Sequence, residues 1–226
     1  MPRRTLSALF LALSAIIAAP AGAATLKDYA GPGVYAGWIG TTPFDADGNP
    51  ATLEGDDLEG YIDWAVFSPG AFPFTGYTPT PGELAYVYQV RALGNAGVTS
   101  FTAAIDSAQP VDNIGFFDDP GNMVTGQLPT AANFQPFPPF FIDSAEWLFA
   151  GIDPGSTSSG LVFSSPRVPM DYFGSAVNHG TNAFVLPIPS PSPLNIPEPA
   201  TMTLAGMGLI GLAIGAVRSR RSRAIA

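Results

Sequence analysis

The sequence feature that most constrains this chain is an uncharged apolar run near its C-terminus. The run extends from Ala200 to Val217 and contains no charged residue and no proline. As a helix it would rise about 27 Å, close to the ~30 Å thickness of the hydrocarbon core of a bilayer. The sequence therefore predicts a single transmembrane helix at about 200–217, and the remaining residues must fold outside that helix.

Prolines and charges bound the apolar run on both sides. Pro197, Glu198 and Pro199 precede it, and proline is tolerated in the first turn of a helix but not in its interior. The basic tail at 218–223 contains Arg218, Arg220, Arg221 and Arg223. A basic cluster after an apolar span stops translocation and stays in the cytoplasm. The residues before Pro197 are therefore predicted to lie on the outer side of the membrane.

The order of these features resembles the PEP-CTERM sorting signal of Gram-negative bacteria. Pro197, Glu198 and Pro199 match the triplet of that family, and 218–223 matches its basic tail. The resemblance covers 197–223 and implies processing near the triplet by an exosortase, a membrane cysteine peptidase or transpeptidase. The chain would then be a substrate of that enzyme. The alternative is a permanent C-terminal membrane anchor, which relies on the same physics without cleavage.

The N-terminus has the three parts of a secretory signal peptide. Residues 2–4 include two arginines, residues 5–19 are apolar, and Ala21 and Ala23 stand at the −3 and −1 positions of a cleavage site. Residues 1–23 are therefore predicted to engage the secretion machinery and to be removed. The two ends together predict export through the inner membrane, with transient contact there, to the cell-envelope surface or the extracellular matrix.

Charge and composition limit the partners of the segment between the two signals. Its basic residues are Lys27, Arg91 and Arg167, against seventeen acidic residues, so its net charge is −14. A surface of this charge repels nucleic acid and anionic lipid, and no nucleic-acid partner is expected. The chain contains no cysteine, so an exported domain must be stabilised by its core without disulfides.

Short alternating runs between Gly/Pro turns predict an all-β ectodomain at 24–186, an antiparallel β-sandwich. The expected strands are 34–39, 61–67, 83–92, 98–105, 111–117, 144–150, 160–164 and 182–188. Residues 83–92 and 98–105 are predicted to form a hairpin, and 144–150 is predicted to pair with 160–164. The Pro/Phe segment at 129–139 reads as irregular, and 187–196 as a semi-rigid polyproline linker.

Within the first clear strand, alternation divides the side chains between two faces. Tyr61, Asp63, Ala65 and Phe67 share one face, and Ile62, Trp64 and Val66 share the other. The face with Ile62 is the expected core face.

Acidic loop residues form one candidate metal site. Asp45, Asp47, Asn49 and Asp56 offer alternating oxygen ligands of the kind that Ca²⁺ prefers. The pattern is not an EF-hand, because Pro50 stands at the position of the required glycine and Asp56 at that of the glutamate. The alternative is a turn with solvated acidic side chains, and no other cofactor is predicted.

The sequence contains no recognisable catalytic motif. His179 is the single histidine, in a predicted turn, and no Gly-x-Ser-x-Gly nucleophile elbow occurs. Asp63 and Glu146 lie on predicted strands and are a candidate carboxylate pair for glycoside hydrolysis, although their separation is not readable from sequence. The expected protein is therefore not an enzyme.

The resemblance implies a structural or adhesive protein associated with exopolysaccharide or biofilm matrix. Two alternatives stay open at this point. One is a carbohydrate-binding module, in which exposed aromatic rings stack on sugars. The other is a secreted hydrolase.

Overall fold

The computed structural model describes residues 25–47, 57–105, 111–122, 124–137 and 142–195. Within these ranges ten strands form a single sheet, in which every strand pairing is antiparallel. The strands are β1 (Val34–Asp45), β2 (Glu59–Phe67), β3 (Leu84–Ala92), β4 (Val98–Ile105), β5 (Asp112–Phe117), β6 (Ala131–Phe137), β7 (Ile142–Ile152), β8 (Gly160–Ser165), β9 (Arg167–Asn178) and β10 (Thr181–Asn195). Short 3-10 turns occupy Leu26–Asp28 and Pro120–Asn122. The predicted all-β, antiparallel class is confirmed.

The predicted signal peptide at 1–23 and the predicted helix at 200–217 lie outside the described residues. In the part of the chain that the structure describes, no helix has the length and apolar character needed to cross a membrane.

The strand order is β5-β8-β3-β2-β1-β10-β9-β4-β7-β6. The sheet is therefore continuous, in place of the two separate sheets of the predicted sandwich. It folds over so that its first half (β5, β8, β3, β2 and β1) faces its second half (β10, β9, β4, β7 and β6). The inward side chains of both halves form one core, in the position that the core between the two sheets of a sandwich would occupy.

Aromatic rings join the two halves across this core. The Tyr88 ring of β3 lies 5.6 Å from Phe101 of β4 and 6.0 Å from Trp147 of β7, measured between centroids. Trp147 also donates from its Nε1 to the Gly115 carbonyl of β5 at 2.8 Å. These rings are fully buried, so large aromatics supply the core of a domain that has no disulfides.

Loops cover the outer face of the first half and form a second apolar cluster. Its buried members are Leu26, Ala65, Phe67, Phe74, Ala85, Val87, Phe117, Val124 and Val162. Strands β2 and β3 are therefore buried on both faces along much of their length. The prediction that Ile62 and Val66 face the core is confirmed, but the opposite face of β2 is also buried. Trp64 is only half-buried.

Buried polar side chains fasten these covering loops to the sheet. Gln89 of β3 accepts a hydrogen bond from the Leu26 N–H at 2.9 Å and donates to the Ser158 carbonyl at 3.0 Å. Asp119 accepts from the Thr75 N–H at 2.8 Å and from the Asn122 side-chain amide at 3.0 Å. The covering layer is therefore held by specific hydrogen bonds as well as by apolar contact.

Both predicted strand pairings are wrong. Strand β3 pairs with β2 and β8, while β4 pairs with β7 and β9. The connecting residues 93–97 pack on the start of β2, where the backbone N–H groups of Leu93 and Gly94 reach the Glu59 carbonyl. A Cβ on Gly94 would lie 1.8 Å from the Asp57 carbonyl oxygen, so this segment passes close to the neighbouring backbone and leads into the other half.

The second predicted pairing fails for a similar reason. Strand β7 pairs with β4 and β6, and β8 pairs with β3 and β5, in opposite halves of the sheet. Alternation identifies a strand and its inward face, but it carries no information on the partner.

Three further segments differ from the expectation. Residues 131–137, expected to be irregular, form β6, and β9 was not predicted. Residues 187–195, part of the linker predicted at 187–196, continue β10 and pair with β9, with shifts in register between Val185 and Ile188 and between Pro191 and Asn195. Proline or glycine obscures the alternation in all three, yet each segment pairs with a neighbouring strand.

The hydrogen bonds to Asp119 make the covering layer sensitive to acid. Burial alone raises the pKa of Asp119, but hydrogen bonds from Thr75 and Asn122 outweigh it and hold the pKa below its ordinary value of 3.8. A lowered acid pKa contributes stability that is present above the ordinary value and is lost as pH falls through the lowered one. We expect Asp119→Asn to lower the free energy of unfolding at pH 7, by an amount that shrinks below about pH 4. Urea titrations of both proteins from pH 3 to 7 measure this, and a pH-independent difference would contradict it.

Candidate sorting site and the exposed sheet face

The last strand leads directly into the predicted sorting segment. Strand β10 ends at Asn195, and Pro197 follows two residues later. Two residues of extended chain reach about 7 Å. Because β10 lies between β1 and β9 near the middle of the sheet, the segment leaves from a central strand and not from a peripheral tail.

Alternate prolines determine how this strand is held. Prolines stand at 187, 189, 191 and 193, and proline has no N–H to donate. Consistent with this, β1 pairs with β10 only at Phe44 and Val185. Side chains replace the missing ladder, since the Thr42 hydroxyl donates to the Pro187 carbonyl and the Tyr88 hydroxyl to the Pro189 carbonyl.

Further contacts extend this attachment towards Asn195. The buried Ser190 hydroxyl donates to the Ala104 carbonyl at 2.8 Å. Arg167 donates from Nη1 to the Pro193 carbonyl at 3.0 Å, and its own carbonyl accepts from the Tyr86 hydroxyl at 2.7 Å. The folded domain is therefore ordered by named contacts to within two residues of the described end of β10.

A protein-family model, the PEP-CTERM protein-sorting motif, matches residues 195–221. The chain carries a PEP-CTERM sorting signal. The match begins at Asn195, the last described residue of β10. Such a signal implies an exported protein that is recognised and processed by an exosortase, with a surface or extracellular location after processing. Neither the curated proteins nor the solved structures contain a match to the chain.

The individual residues of both signals remain predictions. Those at the C-terminus, Pro197, Glu198, Pro199, Arg218, Arg220, Arg221 and Arg223, lie outside the described residues, as do Ala21 and Ala23 at the N-terminus. The family match covers the triplet and the first three of the arginines, 218–221.

The candidate Ca²⁺ residues are only partly described. Asp45 ends β1 and is buried, and its carboxylate accepts a hydrogen bond from the Asp47 N–H at 2.9 Å. Burial raises the pKa of Asp45, and the nearby carboxylates of Asp47 and Asp57 raise it further, although the Asp47 hydrogen bond lowers it. Asn49 and Asp56 lie outside the described residues. Across the described ranges, no group of three acidic or histidine side chains is arranged to hold a metal ion.

The structure places the candidate catalytic residues apart. Asp63 lies on β2 in the first half, fully buried in an ion pair with Arg91, whose Nε is 2.8 Å from Oδ2. Arg91 also lies over the Tyr61 ring at 4.6 Å. Glu146 lies on β7 in the second half. His179 is exposed in the two-residue turn between β9 and β10, with a positive φ of 42°.

A groove of about 400 Å³ crosses the outer face of the second half. Its lining combines two phenyl rings with hydroxyl, amide and carboxylate groups, and includes Ser100, Thr102, Glu146, Phe173, Ser175, Asn182 and Phe184. The Phe184 side chain is 70% exposed and the adjacent Leu186 is 66% exposed. This face therefore differs from the first half, whose outer face is covered by loops.

Sequence reasoning missed this groove because it missed one of the strands. Ser100 and Thr102 are two residues apart on β4 and therefore share one face of that strand. Phe173 and Ser175 lie on β9, which was not predicted, and the pairing of β9 with β4 and β10 brings them beside those hydroxyls.

Because side-chain hydrogen bonds hold β10, removing one donor is expected to lower the free energy of unfolding. Burial raises the pKa of Tyr88, which stays protonated and donates throughout the physiological range. We expect Tyr88→Phe to lower the free energy of unfolding by about 1–3 kcal/mol, because the Pro189 carbonyl loses its partner. Chemical denaturation measures this, with Tyr61→Phe on β2 as the control. Equal losses in the two variants would contradict the proposed role of the Tyr88 hydroxyl.

The direct junction of domain and signal predicts that the folded domain limits access to the triplet. Insertion of a flexible Gly/Ser spacer of about six residues after Asn195 is expected to speed processing in the host, because it moves the triplet away from the sheet. Pulse-chase labelling of the precursor and product measures the rate. The same insertion in the exposed turn at 153–155 is the control, and an unchanged rate with the spacer after Asn195 would contradict the prediction.

Proposed function

We propose that this protein is a structural component of the extracellular matrix, placed there by exosortase processing and associated with exopolysaccharide through its folded domain. The observation that carries the proposal is that a sorting signal at 195–221 follows an all-β domain, whose described residues leave a groove on one outer sheet face. A protein exported to the surface with such a face is suited to holding other matrix components.

A non-enzymatic role forms part of this proposal. Of the two candidate carboxylates, Asp63 lies in the first half of the sheet and is neutralised by Arg91. Glu146 lies in the second half and accepts a hydrogen bond from the Gln135 side-chain amide at 3.2 Å. Glycoside hydrolysis needs two carboxyl groups facing one bond at a short separation. These two acids therefore support no hydrolase, which would have to use other residues.

The charge of the domain favours solubility and limits its partners. With a net charge of −14, the segment between the signals repels anionic polymers and acidic proteins. Uncharged polymers carry no such penalty. The proposal therefore favours a matrix polysaccharide with few acidic groups as the contact.

Fractionation of the host culture tests the proposal. We expect the protein in the polysaccharide-rich matrix fraction of the wild-type strain, and in the membrane fraction of a strain that lacks the exosortase. A strain that has the exosortase but makes no exopolysaccharide is the matched control, and there we expect the protein in the free medium. Recovery in the membrane fraction of all three strains would overturn the proposal and favour a permanent anchor.

A further inference from the structure

One outward row of side chains crosses all five strands of the second half of the sheet. The register of the strands places these residues directly opposite one another, in the order Phe184, Ser175, Thr102, Glu146 and Asn133. Neighbouring strands lie about 4.8 Å apart, so the row is about 19 Å long. Its chemistry changes along its length from an exposed phenyl ring, through two hydroxyls, to a carboxylate and an amide.

We propose that this row and the groove around it are a binding site for a polysaccharide of pyranose sugars that carries no acidic groups. This inference rests on the proposed function and assigns its contact surface. The Phe184 ring is exposed enough to stack on the apolar face of a sugar ring. The hydroxyls and the Asn133 amide are donors and acceptors that match sugar hydroxyls.

The charges of the described residues favour an uncharged ligand in the groove over an anionic one. Among the described side chains that line the groove, Glu146 is the one that carries a charge, and none is basic. The three basic residues of the ectodomain lie elsewhere, since Lys27 is in the Leu26–Asp28 turn, Arg91 pairs with Asp63, and Arg167 binds the Pro193 carbonyl. An anionic polysaccharide would therefore meet repulsion with no compensating cation.

The same charges disfavour a second copy of this chain as the occupant. A symmetric dimer through this face would bring two surfaces of a strongly acidic domain together, with Glu146 of each copy near the interface. An uncharged, hydroxyl-rich chain avoids that repulsion and still uses the phenyl rings.

The contrast between the two outer faces supports the assignment. In the first half, the Phe74 ring of the covering loop stacks on the Phe117 ring of β5, with 4.8 Å between centroids. In the second half, Phe184 extends from β10 at 70% exposure, beside polar side chains of the groove. The Phe184 ring is therefore not part of a core and is accessible for stacking on a ligand.

Affinity electrophoresis of the exported protein tests the inference. The probes in the native gels are galactomannan and mixed-linkage glucan, which are neutral, and alginate, which is anionic. We expect at least one neutral probe to retard the protein and alginate not to do so. We expect Phe184→Ala to weaken the retardation about tenfold, because the stacking contact is lost. Ser175→Tyr, which fills the row, is expected to abolish it.

Phe116→Ala is the matched control, because Phe116 is a 36% exposed phenylalanine on β5 in the first half. It is expected to leave retardation unchanged. The inference would be overturned by the absence of retardation with both neutral probes, by stronger retardation with alginate, or by equal losses in the Phe184 and Phe116 variants. Sedimentation equilibrium tests the remaining occupant, and a dimer that Phe184→Ala converts to a monomer would also overturn it.

The outcome separates this inference from the proposed function. Retention in the host matrix without binding to any neutral probe would remove the groove as the contact and leave the matrix role standing. Binding to a neutral probe by a protein that is never found in the matrix would support the groove and contradict the matrix role.

Discussion

The proline-rich strand β10 is the constraint on which the rest of this structure depends. It is the first strand of the second half of the sheet, next to β1 of the first half, and its prolines prevent a full hydrogen-bond ladder to β1. Hydroxyl donors from Thr42 and Tyr88 bind the proline carbonyls instead, so the two halves are joined at this point mainly by side chains and by the shared core. The same strand runs into the sorting signal, so fold and sorting meet in one element.

The outer faces of the two halves of the sheet differ, and the proposed function depends on this difference. Residues 71–78 and 124–125 cover the first half with apolar side chains that include Phe74 and Val124, and Gln89 and Asp119 hold these segments by hydrogen bonds. The second half keeps an open groove with Phe184 and a row of polar side chains. A small exported domain without disulfides gains stability from the extra buried layer, while the open face is available for contact.

The sequence predicted the sorting signal and the β class well, and the topology poorly, for physical reasons. The PEP-CTERM signal depends on local order along the chain, from the Pro-Glu-Pro triplet to the arginine tail, so it was readable without a fold. Six of the eight predicted strands overlap observed ones closely, and the other two, 34–39 and 182–188, are the first parts of the longer strands β1 and β10. Strand pairing depends on contacts distant in sequence, so the adjacent runs 83–92 and 98–105 suggested a hairpin that the fold does not form.

Proline accounts for the errors near the C-terminus and for part of the missed site. Alternate prolines at 187–193 favour a polyproline linker when read alone, but serines and Ile188 between them are buried, and β9 supplies their partner strand. Strand β9 itself contains Pro169 and Gly174, which mask its alternation. With β9 missed, Ser175 and Phe173 had no place in the prediction, and no groove was readable.

The central claim is that a complete β domain ends where the sorting signal begins and is separated from it by processing. The intact mass of the exported protein, from host strains with and without the exosortase, tests this most directly. We expect loss of residues 1–23 in both strains, and loss of the residues after the Pro197 region only when the exosortase is present, which leaves β10 whole. Any additional mass on the product would then identify an attached group. A protein that still ends at Ala226 in both strains would contradict the account and make the C-terminal segment a permanent anchor.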